Sequence, residues 1–510
     1  MRQKLAIKSS AIGLGAKLLA MVLSIISTRL FVHYLGIEIK GISGLLSNIL
    51  SLLKLAEMGI GTAIIYALYQ PIVDKKIEEI KSLMHFYKKA YRSIGLLVLG
   101  IGCVVSLFLK FFVEETSYSW VYIYIIFFFQ LFESVSTYML GAYKRNLLYA
   151  DQKQYVATFI DALVNTVFVL IRMLIIVVFH SYLLYLFLQL LQTILSNIII
   201  GNVVDRKYPY LRDKDIAPYD KMPELLGNVK NVIAGRIGGV VYNSTDNIII
   251  SKTVGVIAVG YMTNYYTIKN LIKTLTSAIT DPIRPMIGNY IREYEDIDKS
   301  YQLFLSYTFI RSCIANVVVV GVVVLMNPFI DLWLGKGYTL SVYIPILLAM
   351  DMYIDLVHSP AWEYMNVLGY FKYDKNMSYV GAAINLAISI ILAIYMGISG
   401  VLLGTVIAQM YYWVARAHVV FKHYFKSGLV TYVYRCMSYT IVTVVDIGIV
   451  MQLYRYMVPE ITITRFILMS IVSIGVSVGS ICILWSRTKE FSMILNLLSK
   501  FKVRGTKKDI

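Results

Sequence analysis

Ionisable side chains recur within stretches of this sequence that are otherwise apolar and about 20 residues long, enough to cross a bilayer core of roughly 30 Å. A charge at the bilayer centre costs at least about 2.5–3.5 kcal/mol, so each such group needs an opposite charge or a wet cavity. The cations are Lys17, Arg29, Lys54, Arg172, Arg236, Lys269, Lys273, Arg311 and Arg416. The acids are Glu57, Glu133, Asp161, Asp246, Asp351 and Asp355. Intramembrane charges in this number indicate a path for a charged substrate.

Several of these residues share one face of a predicted helix. The faces are Arg236, Asn243 and Asp246; Tyr265, Lys269, Lys273 and Thr276; and Thr158, Asp161, Asn165 and Arg172. One interpretation is that the charges form ion pairs, such as Lys54 with Glu57, that hold the helices in register. The other is a wet path for a large anion. We favour the path because cations outnumber acids, so pairing leaves some cations without a partner.

This interpretation predicts which residues line the path. By depth, the cations run from the cytoplasmic side (Lys17, Arg236, Arg311) through the middle (Lys54, Lys269, Lys273) to the outer side (Arg29). The predicted substrate-binding residues are Arg29, Lys54, Arg236, Lys269, Lys273, Arg311 and Arg172. Most of them are expected to line one central cavity.

An acid that changes its charge during a cycle would couple substrate movement to an ion gradient. The sequence has no G-x-x-x-x-G-K-[ST] stretch, so we do not expect it to hydrolyse nucleotide. H⁺ or Na⁺ is then the expected coupling ion, and one charge moving through 100 mV supplies about 2.3 kcal/mol. Asp246 is the leading candidate, with Glu57 and Asp161 (near Arg172) as rivals. A purely structural pairing of Asp246 with a cation stays an open alternative.

Residues suited to catalysis or cofactor binding are scattered. The six His form no metal-ligand or Ser/His/Asp cluster. The four cysteines, all in apolar stretches where they pack as small hydrophobes, are Cys103, Cys313, Cys436 and Cys482. Predicted outer loops of about ten residues or fewer are too short for the catalytic site of a membrane transferase or polymerase. We therefore expect neither an enzyme nor a metal or cofactor.

The apolar stretches continue along the whole chain, of which 58% is hydrophobic, against roughly half in a soluble domain. We predict an all-α integral membrane protein with about fourteen transmembrane helices. The predicted spans are 10–33, 41–67, 91–112, 119–142, 155–179, 182–204, 226–251, 257–281, 303–331, 338–357, 377–396, 400–421, 430–452 and 463–486.

The net charge of +18 is distributed unevenly across these spans. Segments on the predicted outer side contain few cations, namely Lys40, Lys110, Lys252, Lys336 and Arg455. By the positive-inside rule, both termini are expected in the cytoplasm of a multi-pass protein of the cell membrane. The basic charge therefore reports topology, and we expect no nucleic-acid partner.

The sequence also matches itself at an offset of 219 residues. This offset places Gly36 on Gly255, Gly41 on Gly260 and Lys54 on Lys273. An even number of helices separates the copies, so two six-helix lobes should be related by a pseudo-two-fold axis along the membrane normal. The predicted domains are an N-lobe (1–204, helices 1 to 6), a cytoplasmic linker (205–225), a C-lobe (226–421, helices 7 to 12) and 422–510, with helices 13 and 14 and a basic tail.

Three short motifs resemble a known family. Arg29-Leu30-Phe31 is followed by Leu35-Gly36 and Lys40-Gly41, and then by Ala56-Glu57-Met58-Gly59-Ile60-Gly61 with Ala63-Ile64 and a basic loop running to Tyr87. Thr245-Asp246-Asn247-Ile248-Ile249-Ile250-Ser251 precedes Gly255 and Gly260-Tyr261. Together these stretches resemble Wzx-type lipid-linked oligosaccharide flippases, which are polysaccharide biosynthesis proteins of the multidrug/oligosaccharidyl-lipid/polysaccharide (MOP) exporter superfamily.

The resemblance implies a flippase that moves an undecaprenyl-type, diphosphate-linked oligosaccharide from the inner to the outer leaflet by alternating access. The product would be a capsular, exo- or other cell-surface polysaccharide. Membrane lipid, a polysaccharide polymerase and chain-length regulators are the implied partners. Lys and Arg suit a diphosphate, whereas this many cations would repel a cationic drug. A peptidoglycan-precursor flippase and an ion-coupled drug or solute antiporter of the same superfamily remain the alternatives.

Overall fold

The computed structural model describes residues 2–54, 57–114, 116–213, 227, 238–242, 244–281, 283–293, 296–456, 462–488 and 490–492. Every regular element in this part of the chain is a helix. By Cα packing the chain divides into two compact units, Met1–Tyr266 and Thr267–Ile510. The predicted lobe boundaries at 204 and 226 differ from this division and stay a prediction.

Among the described residues of the first unit, ten helices and the start of an eleventh have defined bounds. They are α1 (Arg2–Leu35), α2 (Ile37–Leu53), α3 (Glu57–Val73), α4 (Ile77–Ser106), α5 (Leu109–Phe112), α6 (Trp120–Met139), α7 (Tyr143–Ala150), α8 (Gln154–Phe179), α9 (Tyr182–Lys207), α10 (Asp246–Thr253) and α11 (Val256–Thr280). A 3₁₀ turn, Pro209–Arg212, follows α9. Helix α6 packs against α4 and α9, and α8 packs against α1 and α9.

The second unit begins within α11. It continues with α12 (Ile283–Glu293), α13 (Ile297–Leu334), α14 (Tyr343–Val367), α15 (Phe371–Met396), α16 (Ile398–Val420), a π-helical turn (Phe421–Phe425), α17 (Leu429–Tyr456) and α18 (Ile463–Trp485). Helix α14 packs against α13 and α16, whereas α17 and α18 pack against α13 and each other.

Several helices begin where the sequence supplies a capping side chain. The side chains of Ser119, Ser181, Asp296 and Thr462 accept hydrogen bonds from the first-turn backbone of α6, α9, α13 and α18. Short polar side chains at this position satisfy backbone N–H groups that a helix leaves unpaired. At α13 the hydrogen bond from the Lys299 backbone N–H also lowers the pKa of Asp296.

Ten helices in the described part of the chain are long and apolar enough to cross a membrane. They match the predicted all-α membrane class, which is confirmed. The other predicted spans correspond to α2 with α3, α10, α11 and α14. Two of these, α11 and α14, carry several of the charges discussed above, which lowers their hydropathy. The count of fourteen and the side of the membrane on which the termini lie stay predictions.

The predicted span 41–67 is two helices in the structure. Helix α2 ends at Leu53, with Lys54 as its C-cap, and α3 begins at Glu57. A cation at a helix C-terminus and an acid at a helix N-terminus both interact favourably with the helix dipole. Lys54, which we predicted in mid-membrane, and Glu57 therefore lie at helix ends.

Helices α2 and α11 approach each other at two glycines. A Cβ atom on Gly41 would lie 2.0 Å from the Val256 carbonyl oxygen, and one on Gly260 would lie 2.2 Å from the Ile37 carbonyl oxygen. The contact is reciprocal, as a two-fold axis would make it. The two pairs are also related by the 219-residue offset found in the sequence, so the helices meet in that register. Superposition of the complete lobes stays a prediction.

Candidate functional site

In the second unit, two Lys–Asp ion pairs join α11 to α14. The Lys269 ammonium donates a hydrogen bond to the carboxylate of Asp351, and the Lys273 ammonium lies 3.3 Å from Asp355. Both pairs follow a four-residue spacing, so they stack one turn apart. Asp351 is buried, whereas the side chain of Lys273 is 58% exposed. Two predicted substrate-binding cations are thus neutralised within this unit.

A third carboxylate of α14, Glu363, faces two arginines. Arg311 Nη2 lies 3.2 Å from Glu363 Oε1, and Arg284 Nε lies 3.4 Å from the same oxygen. Tyr307 donates a hydrogen bond of 2.9 Å to the other oxygen. Arg311 and Glu363 are buried, so removing either would leave the other as an uncompensated buried charge. The predicted binding residue Arg311 has a structural partner that the sequence analysis did not identify.

A histidine extends this charged row. Arg416 donates from Nε to Asp374 over 2.9 Å, and its Nη1 lies 3.0 Å from His358 Nε2. Because arginine has only donors, Nε2 of His358 accepts, and its Nδ1 donates to the Ile354 carbonyl over 2.8 Å. This arrangement fixes the neutral tautomer with the proton on Nδ1. Helix α14 therefore contacts cations from four neighbouring helices.

In the first unit, Glu57 is held by tyrosines rather than by a cation. Its carboxylate accepts hydrogen bonds from Tyr138 (2.7 Å) and Tyr91 (3.0 Å). Tyr87 donates in turn to Tyr91 over 3.1 Å. Among the described residues, no carboxylate lies within 4.0 Å of the Lys54 ammonium, so the suggested Lys54–Glu57 pair is wrong. The phenols come from α4 and α6, which sequence spacing alone does not bring to Glu57.

Asp161 pairs with a residue that we had placed outside the membrane spans. Arg145, on the short helix α7, binds both oxygens of Asp161 at 2.9 and 3.1 Å, and Ser196 donates to the same carboxylate over 2.6 Å. The expected neighbour, Arg172, lies on the same helix as Asp161 but three turns away. The placement of Asp161 near Arg172 is therefore wrong.

Arg172 is instead linked to another acid through an amide. Its Nη1 donates to Gln189 Oε1 over 3.3 Å, and the amide of Gln189 donates to Glu133 over 2.8 Å. The guanidinium also lies 4.9 Å from the ring centroid of Tyr185, within range of a cation–π interaction. Arg172 is buried, so it is a well-held cation whose nearest acid is one side chain away.

Asp246 is the first residue of α10 and is buried. Tyr266 donates a hydrogen bond of 2.9 Å to its carboxylate. The helix dipole favours a carboxylate at this end of the helix. Its predicted companions Arg236 and Asn243 lie outside the described residues, so the predicted face is tested only at Asp246.

Arg29 and Lys54 differ from the paired cations. Arg29 is exposed on α1, and Lys54 is half-buried at the end of α2. In the part of the chain that the structure describes, neither has a carboxylate within 4.0 Å. Neither of these two predicted binding residues is therefore neutralised by a carboxylate of the described part of the chain.

Asp446, on α17, is a buried acid that the sequence analysis missed. Asn316 on α13 and Ser480 on α18 donate hydrogen bonds of 2.8 and 2.6 Å to its carboxylate. It lies inside the predicted span 430–452. A lone acid in an otherwise apolar span was the signal that could have identified it.

The described residues are also expected to lack metal-ligand clusters and disulfides. Among the described residues, no group of three or more His, Cys, Asp or Glu is arranged to hold a metal ion. The four cysteines are free thiols. The charged groups described above can bind ions and charged lipids through hydrogen bonds and ion pairs.

The sequence and the fold were compared with known proteins. A family model described as polysaccharide biosynthesis protein matches residues 6–291, more than half of the chain. No curated protein sequence matches it.

Several solved structures share the fold. A structure of the lipid II flippase MurJ in an inward closed conformation has a TM-score of 0.69 at 14% identity and covers 93% of this chain and 99% of that chain. An inward-facing multidrug resistance MATE family transporter of the MOP superfamily has a TM-score of 0.60 at 14% identity, covering 84% and 99%. A variant of the MATE transporter VcmN from Vibrio cholerae has a TM-score of 0.55 at 16% identity, covering 84% and 99%. At these identities, the likeness shows the fold alone.

Proposed function

Because the chain belongs to the family of polysaccharide biosynthesis proteins, we propose that it moves a polyprenyl-diphosphate-linked oligosaccharide from the inner to the outer leaflet of the cell membrane. The chain is a multi-pass membrane protein with a fold shared by flippases and transporters. The cargo would supply a capsular, exo- or other cell-surface polysaccharide.

The observation that carries this proposal is that two cations of the predicted spans, Arg29 and Lys54, have no acid partner among the described residues. A cation in this environment needs a counter-charge, and an anionic lipid headgroup supplies one. A diphosphate matches Arg through paired hydrogen bonds and Lys through a point charge. The apolar prenyl chain can stay in lipid while the headgroup moves along the protein.

The paired cations of the second unit differ in how readily they could bind the same headgroup. Lys273 is more than half exposed while it faces Asp355 at 3.3 Å, so a diphosphate can compete with the carboxylate for it. Lys269 and Arg311 are better buried and better paired. Among the second-unit residues predicted to bind substrate, Lys273 is therefore the one we expect to exchange partners most readily. Arg172 and Arg236 complete the proposed set.

Vectorial movement needs an energy source, which we propose to be a gradient of H⁺ or Na⁺. Asp246 remains the leading coupling candidate, since it is a buried acid at a helix N-terminus that accepts a hydrogen bond from the Tyr266 phenol. Glu57 is also held by phenols. Asp161 is the weakest candidate, because Arg145 already binds both oxygens of its carboxylate.

A peptidoglycan-precursor flippase is the second candidate, since the MurJ structure shares the fold. Both cargoes would present a polyprenyl diphosphate, so cation chemistry alone does not separate them. A cationic-drug antiporter fits less well, because Arg29 and Lys54 would repel its substrate.

A binding experiment tests the proposal. Purified protein in detergent is titrated with a fluorescent undecaprenyl-diphosphate oligosaccharide and with the corresponding monophosphate. We expect tighter binding of the diphosphate and at least a tenfold loss for the Arg29→Gln, Lys54→Gln double variant. Lys89→Gln, an exposed cation on α4, is the matched control and should bind as wild type. Equal loss in the control, or no preference for the diphosphate, contradicts the proposal.

A further inference from the structure

The carboxyl group of Asp446 is buried where α13, α17 and α18 meet. Its side chain accepts both of its hydrogen bonds, from Asn316 Nδ2 and Ser480 Oγ, on the same oxygen, Oδ2. The residue is 1% exposed. Within the described residues, no Lys, Arg or His nitrogen lies within 4.0 Å of it. This acid therefore differs from Asp161, Asp351 and Glu363, each of which faces a cation.

Apolar clusters lie on both sides of this acid along the helices. One cluster consists of Val320, Val324, Val450 and Met469. The other consists of Phe309, Tyr439 and Ile481, with Cys313 and Trp485 packed against it. Asp446 thus occupies a thin polar layer between two dry layers. An isolated carboxylate charge there is unfavourable by several kcal/mol, and the neutral donors offset only part of this cost.

Oxygen atoms near this layer also lack hydrogen-bond partners. The side-chain oxygen Oδ1 of Asn316 and the hydroxyls of Ser473 and Ser477 are buried without a partner in the structure. Asn316 is the residue whose Nδ2 already contacts Asp446. Ser473, Ser477 and Ser480 lie on one face of α18, spaced by four and three residues. Buried polar atoms without partners often mark an ion or a water molecule.

No nearby titratable group supplies the missing positive charge. Of the cations on the three helices, Arg311 pairs with Glu363 and Arg435 with Glu490, whereas Lys299, Arg455 and Arg465 lie near helix ends. On α14, His358 contacts Arg416. The phenols and thiols of these helices, such as Cys313, Tyr353, Tyr439, Tyr454 and Cys482, are neutral near pH 7. A small cation from solution is therefore the remaining source.

We propose that Asp446, Asn316, Ser477 and Ser480 form a monovalent-cation site that holds either a proton on the Asp446 carboxyl or a Na⁺ ion among these oxygens. Both ions neutralise the carboxylate and both use oxygen atoms only. The site is separate from Asp246, Glu57 and Asp161, and it does not depend on the identity of the transported lipid. A bound ion or proton should stabilise the packing of α17 and α18 on α13.

Infrared spectroscopy of the full-length protein in liposomes tests the proton. In Na⁺-free buffer at neutral pH, the difference spectrum of wild type minus Asp446→Asn should contain the C=O stretching band of one protonated carboxylic acid. Asp298→Asn, an exposed acid in the first turn of α13, is the matched control and should leave that band in place.

Thermal unfolding in Na⁺ or choline buffer tests the other ion. If Na⁺ is the ligand, the protonated band is absent and Na⁺ raises the wild-type Tm by several degrees, an increase that Asp446→Asn loses. Should Asp446→Asn fail to fold, Ser480→Ala retains the carboxyl and should shift the band or weaken the Na⁺ effect. Neither a protonated band nor a Na⁺-dependent Tm would overturn the proposal. Neither readout needs the lipid substrate, so this result is independent of the flippase assay.

Discussion

Gly41 and Gly260 contact each other's helices so closely that neither position has room for a methyl group. The obstacle is backbone, Val256 on one side and Ile37 on the other, so it cannot rotate away. Sequence residues 219 apart therefore meet in space at the start of α2 and α11. This crossing makes a direct prediction about substitution.

Gly41→Ala and Gly260→Ala should each destabilise the folded protein by about 1–3 kcal/mol, the usual cost of overpacking a tight interface. Gly100→Ala is the matched control, because nothing lies within 4 Å of a Cβ there and alanine favours a helix by about 1 kcal/mol over glycine. Unfolding in a denaturing-detergent titration measures the three variants. If Gly41→Ala is as stable as Gly100→Ala, the close crossing is absent in the membrane.

Glu363→Gln should lower the free energy of unfolding by about 3–5 kcal/mol, because it leaves Arg311 buried beside an uncharged amide. Glu293→Gln, an exposed acid on α12, should change it by less than about 0.5 kcal/mol. The double variant Arg311→Gln, Glu363→Gln should be more stable than the sum of the single changes predicts. Strict additivity would show that the two residues do not interact.

Tyr138→Phe removes a hydrogen bond of 2.7 Å to Glu57. Hydrogen bonds to charged groups contribute about 1.5–3 kcal/mol, and we expect a loss of stability in that range. Tyr66→Phe is the control, since that ring is exposed. A loss of stability no greater than in this control would contradict the hydrogen bonding of Glu57 by Tyr138.

Asp246→Asn tests the coupling assignment. In proteoliposomes, the variant should bind the lipid-linked oligosaccharide but lose the part of transport that an imposed H⁺ or Na⁺ gradient drives. Asp161→Asn is compared in parallel and should affect stability more than gradient dependence, since it leaves Arg145 unpaired. Unchanged gradient dependence in Asp246→Asn refutes the assignment.

The sequence predicted the helical membrane fold well, because apolar runs of sufficient length have few alternatives in lipid. The offset that aligns Gly41 with Gly260 in the sequence also relates the two close contacts between α2 and α11. Partners of charged residues were harder to predict. Asp161 pairs with Arg145 rather than with Arg172, because α7 packs beside α8. The periodicity within one helix carries no information about which residues a neighbouring helix brings to it.

Tertiary packing also decides which acids within the spans face a cation. Asp446 and Asp355 both lie in apolar spans of the sequence, yet among the described residues only Asp355 faces a lysine in space. The carboxylate of Asp446 contacts Asn316 on α13, 130 residues away in sequence, and Ser480 on α18, the helix that follows α17. Such contacts depend on tertiary packing, which the sequence patterns used above do not specify.

The most direct test of the account is translocation itself. Proteoliposomes containing the purified chain are loaded with a fluorescent undecaprenyl-diphosphate oligosaccharide, and a membrane-impermeant quencher reports the fraction exposed on the outside over time. The account predicts that wild-type protein makes the protected fraction accessible under an ion gradient and that the Arg29→Gln, Lys54→Gln variant is at least tenfold slower. Protein-free liposomes and Lys89→Gln protein are the controls. Wild-type protein that leaves the lipid-linked oligosaccharide protected, while transporting a cationic dye, would contradict the account.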